Sequence, residues 1–185
     1  MTLRIDQKKP KKPEMEKLQL RKFCDSDLNR LVTLANNKNV SRYLIDTFPY
    51  PYRSEDAKLW LQTGHHQNKS VNYAITFDDE LIGTVGIKPN RGWKSHLAEI
   101  GYWIGEPYWN KGYTSWALGE MTSHAFKELQ IKKLYAPVFE SNHASMRVLE
   151  KCDYYREGVL NLEVFKDGNY HNIHYFAKIN PDGNN

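Results

Sequence analysis

The chain has 185 residues, 40% of them hydrophobic and 26% charged, which predicts one globular domain with a sizeable core. Its two cysteines exclude a disulfide framework, and no apolar run is long enough to cross a membrane. Because the N-terminus also lacks the apolar segment of a signal peptide, we expect a cytoplasmic protein.

The net charge of +4 is concentrated at the N-terminus, where residues 8–17 read KKPKKPEMEK. This stretch has no hydrophobic periodicity, and it predicts a disordered tail over residues 1–15. One domain would then span residues 16–180, with a short tail at 181–185. Basic runs also serve as nuclear-localisation or nucleic-acid arms. The chain without this tail is close to neutral, so nucleic acid is not an expected partner.

Hydrophobic periodicity predicts mainly helices in the first third of the chain and both helices and strands after it. Apolar residues recur every three to four positions in the predicted helices and every second position in the predicted strands. In chain order we predict a strand at 18–23, a helix at 25–35, a short apolar pattern at 40–45, a helix at 54–65, strands at 71–77, 81–87 and 96–104, a helix at 111–129, a strand at 132–139, a helix at 141–151, and strands at 159–166 and 170–179. This order indicates a mixed α/β (α+β) sheet.

Two predicted loops carry aromatic side chains. Residues 48–52 read FPYPY, which is too proline-rich for a helix or a central strand. This loop either packs Tyr50 and Tyr52 on the core or forms a wall of a substrate site. Residues 88–95 form a second loop, which carries Trp93.

The segment at residues 99–117, EIGYWIGEPYWNKGYTSWA, joins an apolar strand to a helix through a polar loop that contains Gly112. The N–H groups of the first helical turn have no intrahelical acceptor, and the helix dipole favours negative charge there. Glycine lets the backbone approach a ligand closely. The segment therefore predicts a pocket for a pyrophosphate group.

A second motif, NHASMRVLEKCDYYREG, occupies residues 142–158. Together with residues 99–118 it resembles the GNAT N-acetyltransferase superfamily in its RimJ/RimL-like branch, and the resemblance spans about residues 16–179. It implies a GNAT fold, with about four helices flanking a mostly antiparallel, mixed seven-stranded sheet that is splayed between strands four and five. It also implies acetyl-CoA as cosubstrate, without a metal.

The activity that the resemblance implies is transfer of an acetyl group to a primary amine by direct attack in a ternary complex. The amine would belong to a protein N-terminus or to a small molecule. The alternative is a non-catalytic acyl-CoA-binding sensor or interaction module. A homodimer through the last hairpin is an expected assembly for this family, and a membrane partner is not.

The sequence departs from the family pattern at a few positions. The usual phosphate loop, Q/R-x-x-G-x-G/A, maps onto Trp109, Gly112 and Thr114. Thr114 either narrows the pocket or adds a hydroxyl donor. Asp153 stands where glycine is usual, and aspartate tolerates the left-handed conformation better than most residues.

The resemblance assigns cofactor contacts to both motifs. The backbone of a bulged fourth strand would run beside the pantetheine arm, the loop would hold the pyrophosphate, and two basic residues on the second helix would meet the adenosine phosphate or simply face solvent. The implied residues are Tyr102, Trp103, Ile104, Asn110, Lys111, Gly112, Tyr113, Thr114, Asn142, Arg147 and Lys151.

Catalysis needs a neutral amine and a protonated leaving thiolate. Lysine-like amines have a pKa of about 10.4, so a base is useful, and the resemblance gives that role to Glu99. Many family members protonate the thiolate with a tyrosine at the position of Leu149. Leucine cannot donate a proton, so Ser145 is the implied donor here, while Asn142 positions the thiol. The expected substrate contacts are Tyr50, Tyr52, Trp93 and His174, with Tyr154 and Tyr175 as further candidate donors.

Overall fold

The computed structural model describes residues 15–44, 48–64 and 70–183. All but the last residue of the predicted N-terminal tail lies outside these ranges. So do the end of the helix predicted at 54–65 and the last two residues of the chain.

Seven strands and five helices form within the described residues. The strands are β1 (Leu18–Arg21), β2 (Val71–Phe77), β3 (Glu80–Pro89), β4 (Leu97–Ile104), β5 (Lys133–Phe139), β6 (Tyr155–Lys166) and β7 (Asn169–Ile179). The helices are α1 (Leu28–Ala35), α2 (Lys38–Ser41), α3 (Ser54–Leu59), α4 (Tyr113–Lys127) and α5 (His143–Lys151). No helix in the described part of the chain is long and apolar enough to cross a membrane.

The element boundaries differ from the predicted ones at two informative places. Strand β6 begins at Tyr155 instead of residue 159. Residues 155–158, YREG, have no apolar alternation and were therefore not predicted as a strand. They extend β6 because Tyr155 and Arg156 are register partners of Ala177 and Phe176 in β7. Helix α4 begins at Tyr113 instead of residue 111, because the preceding Gly112 adopts a left-handed φ of 79°.

The strands form one sheet in the order β1-β2-β3-β4-β5-β7-β6. All neighbouring pairs are antiparallel except β4 and β5, which are parallel. The predicted mixed seven-stranded sheet is therefore confirmed.

Strands β4 and β5 diverge after a short parallel contact. Their register runs only from Leu97 and Lys133 to Glu99 and Tyr135, while β4 continues to Ile104 and β5 to Phe139. The predicted splay is thus confirmed. The implied bulge in the fourth strand is not seen against β3, since that register is continuous from Gly83 and Ile104 to Pro89 and Ala98. The opening comes from divergence of β4 and β5 alone.

The two faces of the sheet bury different clusters, because side chains alternate along a strand. We call the side covered by α4 and α5 the α4 face, and the side covered by α1 to α3 the α1 face. From β4, the α4 face receives Ile100 and Ile104, which are buried in the larger hydrophobic core with Leu118 and Met121 of α4. The α1 face receives Trp103, which packs against a second cluster that includes Leu31 of α1.

Candidate active site

The loop between β4 and α4 has the backbone conformation of an anion pocket. Asn110 and Gly112 both have left-handed φ values, 61° and 79°, so the chain turns sharply before the helix begins. The N–H of Trp116 donates to the Gly112 carbonyl at 3.1 Å and closes the first turn of α4. Asn110, Lys111 and Gly112 are exposed. The loop thus presents backbone and one ammonium group to solvent at the helix N-terminus.

Tyr113 and Thr114 continue the loop into α4. The Tyr113 side chain is buried and stacks on Phe77 with ring centroids 5.4 Å apart, so only its backbone belongs to the loop surface. The ammonium group of Lys111 lies 5.4 Å from the centroid of the Tyr108 ring. Thr114 is half-buried in the first turn of the helix.

Trp109 has a structural role that explains its presence at a position where the family usually has a polar residue. Its indole N–H donates a hydrogen bond to the Ile104 carbonyl, with Nε1 2.8 Å from the oxygen. This bond ties the start of the loop to the end of β4. A Gln or Arg side chain would not fill the same space with an apolar ring.

The predicted thiol-end residues meet across the opening between β4 and β5. The Asn142 Oδ1 atom caps α5 by accepting from the Ser145 N–H at 3.2 Å. The Ser145 Oγ atom lies 2.9 Å from the Tyr102 hydroxyl oxygen, and that hydroxyl also lies 3.3 Å from the Ser145 carbonyl oxygen. The structure therefore brings together three of the predicted residues.

The Tyr102 side chain is a functional feature that sequence reasoning missed, because only its backbone was assigned a role. Burial raises the pKa of Tyr102 well above its usual value, although the hydrogen bond to Ser145 opposes this in part. The hydroxyl therefore stays protonated at physiological pH and can donate. Alternation along β4 was the available signal, since it places Tyr102 on the α4 face with Ile100 and Ile104.

Glu99 lies at the closed end of the opening, on the α1 face. It is half-buried, it is the register partner of Lys88 in β3, and Tyr135 is its neighbour in β5. Burial raises the pKa of Glu99, and the positive charge of Lys88 counteracts part of that rise. A carboxyl group in this state is suited to proton transfer near neutral pH.

Tyr135 and Tyr175 form an aromatic wall beside Glu99. Their rings are stacked, with centroids 5.7 Å apart, and the Tyr135 hydroxyl donates to Asn90 Oδ1 at 3.0 Å. Burial raises the pKa of both tyrosines, and Glu99 contributes to each rise. Tyr135 was not predicted, because its position beside Glu99 depends on the β4–β5 register, which the sequence does not reveal.

The residues predicted for substrate contact lie in different environments. Tyr52 is only 5% exposed and packs on Phe48 with centroids 5.0 Å apart, so burial raises its pKa to about 12. Phe48 in turn meets the ring of Trp103 edge-on at 5.7 Å. These contacts favour the first of the two predicted roles for Tyr52, which is packing on the core and not forming a wall of a substrate site. Tyr50 is exposed, and Trp93 is fully exposed on the loop between β3 and β4.

His174, which was also predicted to contact substrate, does not lie on the same face of the sheet as Glu99. It is 8% exposed, its register partner is Val138 of the α4-face core, and its Nε2 atom lies 3.7 Å from a Glu140 carboxylate oxygen. Glu99 is on the opposite face, so we leave His174 out of the site.

The remaining predicted residues fit the geometry of the loop and of α5. Arg147 and Lys151 are exposed on α5, one turn apart and therefore on one side of the helix. Asp153 has a φ of 61°, as predicted for a residue in place of glycine, and its N–H donates to the Glu150 carbonyl at 3.1 Å. Within the described ranges no group of three or more His, Cys, Asp or Glu residues could hold a metal ion.

Comparison with known proteins agrees with this geometry. The family model described as "Acetyltransferase (GNAT) domain" matches residues 17–154. The uncharacterized N-acetyltransferase YoaA of Bacillus subtilis is 29% identical over 173 residues, covering 91% of this chain and 96% of that protein.

Two solved structures show the same fold. RimL, a ribosomal L7/L12 alpha-N-protein acetyltransferase solved with coenzyme A, superposes with a TM-score of 0.77 at 24% identity, covering 88% of this chain and 94% of that one. Spermidine N-acetyltransferase from Vibrio cholerae, solved with CoA and spermine, gives a TM-score of 0.75 at 25% identity, with coverage of 92% and 99%. The predicted N-acetyltransferase class and the family's acetyl-CoA cosubstrate are thus confirmed, and the chain belongs to the GNAT acetyltransferase family.

Proposed function

We propose that this chain transfers the acetyl group of acetyl-CoA directly to a primary amine in a ternary complex. One observation carries the proposal: a carboxyl group and a hydroxyl pair lie on opposite faces of the sheet, beside the β4–β5 opening. Glu99 is on the α1 face, and Tyr102 with Ser145 is on the α4 face. An amine can therefore enter from one face while the thiolate leaves toward the other.

Acetyl-CoA supplies the acetyl group as a thioester. The loop around Gly112 would hold its pyrophosphate at the N-terminus of α4, and Arg147 with Lys151 would meet its adenosine phosphate. Beyond Glu99, β4 has no partner on its β5 side, so alternate backbone N–H groups in residues 100–104 face the opening. These groups are suited to bind the pantetheine amides and to polarise the thioester carbonyl.

Two protons have to move. Glu99 takes the first from the acceptor's ammonium group, directly or through a water molecule, and leaves the neutral amine that attacks the thioester; its raised pKa makes it a stronger base for this transfer. The second leaves the nitrogen as the amide forms and restores the Ser145 hydroxyl, which has given its own proton to the departing sulfur. The protonated Tyr102 hydroxyl lies within hydrogen-bond distance of Ser145 Oγ, and by donating to that oxygen it would direct the serine proton toward the sulfur.

The acceptor amine belongs to a protein N-terminus or to a small molecule. Relatives support both classes, since RimL is named as a ribosomal L7/L12 alpha-N-protein acetyltransferase and another relative as a spermidine acetyltransferase. We also infer a cytoplasmic location, which the free Cys24 and Cys152 support. The homodimer stays a prediction, which sedimentation equilibrium would check.

The test is calorimetric binding of acetyl-CoA, followed by thiol release with a panel of amines. Ser145→Ala should lower kcat by about 100-fold, because the sulfur loses its proton donor, and should change the Kd for acetyl-CoA less than twofold. Ser123→Ala, a half-buried serine of α4, is the matched control and should change neither.

The possible outcomes distinguish an acetyltransferase from a non-catalytic acyl-CoA sensor. Absence of binding at millimolar acetyl-CoA would refute the proposal. Binding without turnover on any amine would favour the alternative, a non-catalytic acyl-CoA sensor. Unchanged kcat in Ser145→Ala would remove Ser145 from the mechanism.

A further inference from the structure

An open basic cleft lies at the closed end of the β4–β5 opening. Its volume is about 360 Å³, and it is lined by Lys88 and Pro89 at the end of β3 and by Asn90, Arg91 and Lys94 of the following loop. Three of these five residues carry positive charge, and none of the five is acidic. We refer to it below as the basic cleft.

The basic cleft adjoins Glu99, the proposed catalytic base. Lys88 is the register partner of Glu99, so their side chains lie on the same face, with Cβ atoms about 5 Å apart as is usual for directly opposed residues. Asn90 accepts the hydrogen bond of Tyr135, the neighbour of Glu99 in β5. An acceptor whose amine reaches Glu99 therefore has its adjoining atoms beside the cleft.

The charges around this position exclude a good fit for a polycation. Among the described residues, two further acidic side chains lie on this part of the sheet: Glu157, whose carboxylate is paired with Lys133 at 2.6 Å, and Glu163, whose charge acts on Tyr175. A polyamine would place its further ammonium groups next to Lys88 and Lys94. A carboxylate at the same distance from the amine would gain from both lysines.

We propose that the acceptor of this enzyme carries a carboxylate close to its amine, and that the basic cleft recognises that carboxylate. This inference rests on the proposed acetyl transfer. Two sources share the chemistry: a protein N-terminus with acidic residues in its second and third positions, and a free amino acid. A spermidine-like acceptor does not share it.

The first test compares kcat/KM for three otherwise identical peptides with Glu-Glu, Gln-Gln or Lys-Lys in positions two and three. At 2- to 5-fold per charge, the Glu-Glu peptide should exceed the Gln-Gln peptide by roughly tenfold. The ratio should shrink in 0.5 M salt, where the Debye length is about 4 Å. Spermidine should be poorer than the Gln-Gln peptide. Free glutamate and glutamine form a further arm that separates the two sources.

The second test removes the charges of the basic cleft. Lys94→Gln, alone and together with Lys88→Gln, should lower the Glu-Glu to Gln-Gln ratio by roughly 2- to 5-fold for each lysine. Lys127→Gln is the matched control, because Lys127 is exposed at the end of α4 on the other face, and it should leave the ratio unchanged. Calorimetry with the N-acetylated peptides should show the same order of affinity without any reaction.

The contrary outcomes are distinguishable from failure of the proposed function. Equal kcat/KM for the Glu-Glu and Gln-Gln peptides, or a preference for spermidine, would overturn the inference while acetyl transfer stands. An unchanged ratio in the double variant would overturn it too. Absence of thiol release with every amine would instead overturn the proposed function.

Discussion

Glu99 experiences two opposed influences on its pKa, and the balance between them sets the pH range in which it can act as a base. Burial favours the neutral carboxyl and raises the pKa, whereas the ammonium group of Lys88 favours the carboxylate and lowers it. A base must be deprotonated to accept a proton. The acidic limb of the pH profile of kcat/KM should therefore follow the pKa of Glu99.

Replacing Lys88 by Met should move that acidic limb to higher pH, because burial then acts without the opposing charge. Steady-state kinetics between pH 5 and 9, with an acceptor that has no ionisable group besides its amine, would measure the shift as the difference between variant and wild type, because the amine titrates identically with both. Lys127→Met should leave the profile in place. A limb that moves to lower pH in Lys88→Met would show that Glu99 is not the titrating base.

Tyr102 should act through Ser145, and this can be separated from a purely structural role. Tyr102→Phe keeps the ring and removes the hydroxyl that lies 2.9 Å from Ser145 Oγ. We expect kcat to fall about tenfold, the KM for acetyl-CoA to stay within twofold, and no further loss of kcat when Tyr102→Phe is added to Ser145→Ala. Tyr43→Phe is the matched control, since its hydroxyl bonds the Ser141 carbonyl at 3.2 Å. Multiplicative losses in the double variant would contradict the coupling.

These residues also show what the sequence could predict about the site. Glu99, Asn142 and Ser145 were predicted because they sit at fixed offsets within two contiguous motifs. Tyr135 was not, since its proximity to Glu99 is created by pairing between strands that are distant in the chain. His174 was expected at the substrate, but the register of β7 places it on the other face, and periodicity alone does not choose which face a strand turns outward.

At the scale of elements, the loop between β4 and α4 has two supports, one from the backbone and one from a side chain. Gly112 provides a left-handed turn, at the position where the sequence predicted only that glycine lets the backbone approach a ligand closely. The hydrogen bond from the Trp109 indole to the Ile104 carbonyl was not predictable, because nothing local shows where an indole N–H will point. The β6 start was mispredicted for a related reason, since only pairing with β7 makes YREG a strand.

Replacing Trp109 by Phe should loosen this loop without breaking α4. The lost hydrogen bond is worth about 1 kcal/mol, so we expect the Kd for CoA to rise roughly fivefold and the free energy of unfolding to fall by about the same 1 kcal/mol. Calorimetry and urea unfolding would measure the two quantities. Trp93→Phe is the control, because Trp93 is fully exposed, and it should change neither. An unchanged Kd in Trp109→Phe would mean that the loop is held by its backbone alone.

At the scale of the whole molecule, the sheet is two sections joined by one short parallel contact. Strands β1 to β4 lie on one side and β5 to β7 on the other, and the β4–β5 register spans only residues 97–99 with 133–135. A cofactor in the opening would contact both sections at once. It would therefore stabilise the junction that the backbone leaves least supported, in addition to occupying the loop before α4.

CoA should accordingly raise the thermal unfolding midpoint. At 100 times its Kd, a ligand that binds only the folded state adds about 2.7 kcal/mol, which corresponds to roughly 5–10 °C for a chain of this size. Gly112→Val should abolish most of that shift, because a β-branched residue is strained at a φ of 79° and would displace the loop. Gly168→Val introduces comparable strain in the β6–β7 turn, at a φ of 78°, and should lower the midpoint but keep the shift. Differential scanning fluorimetry with and without CoA would separate these effects, and an equal shift in both variants would place the CoA pyrophosphate elsewhere than at the loop before α4.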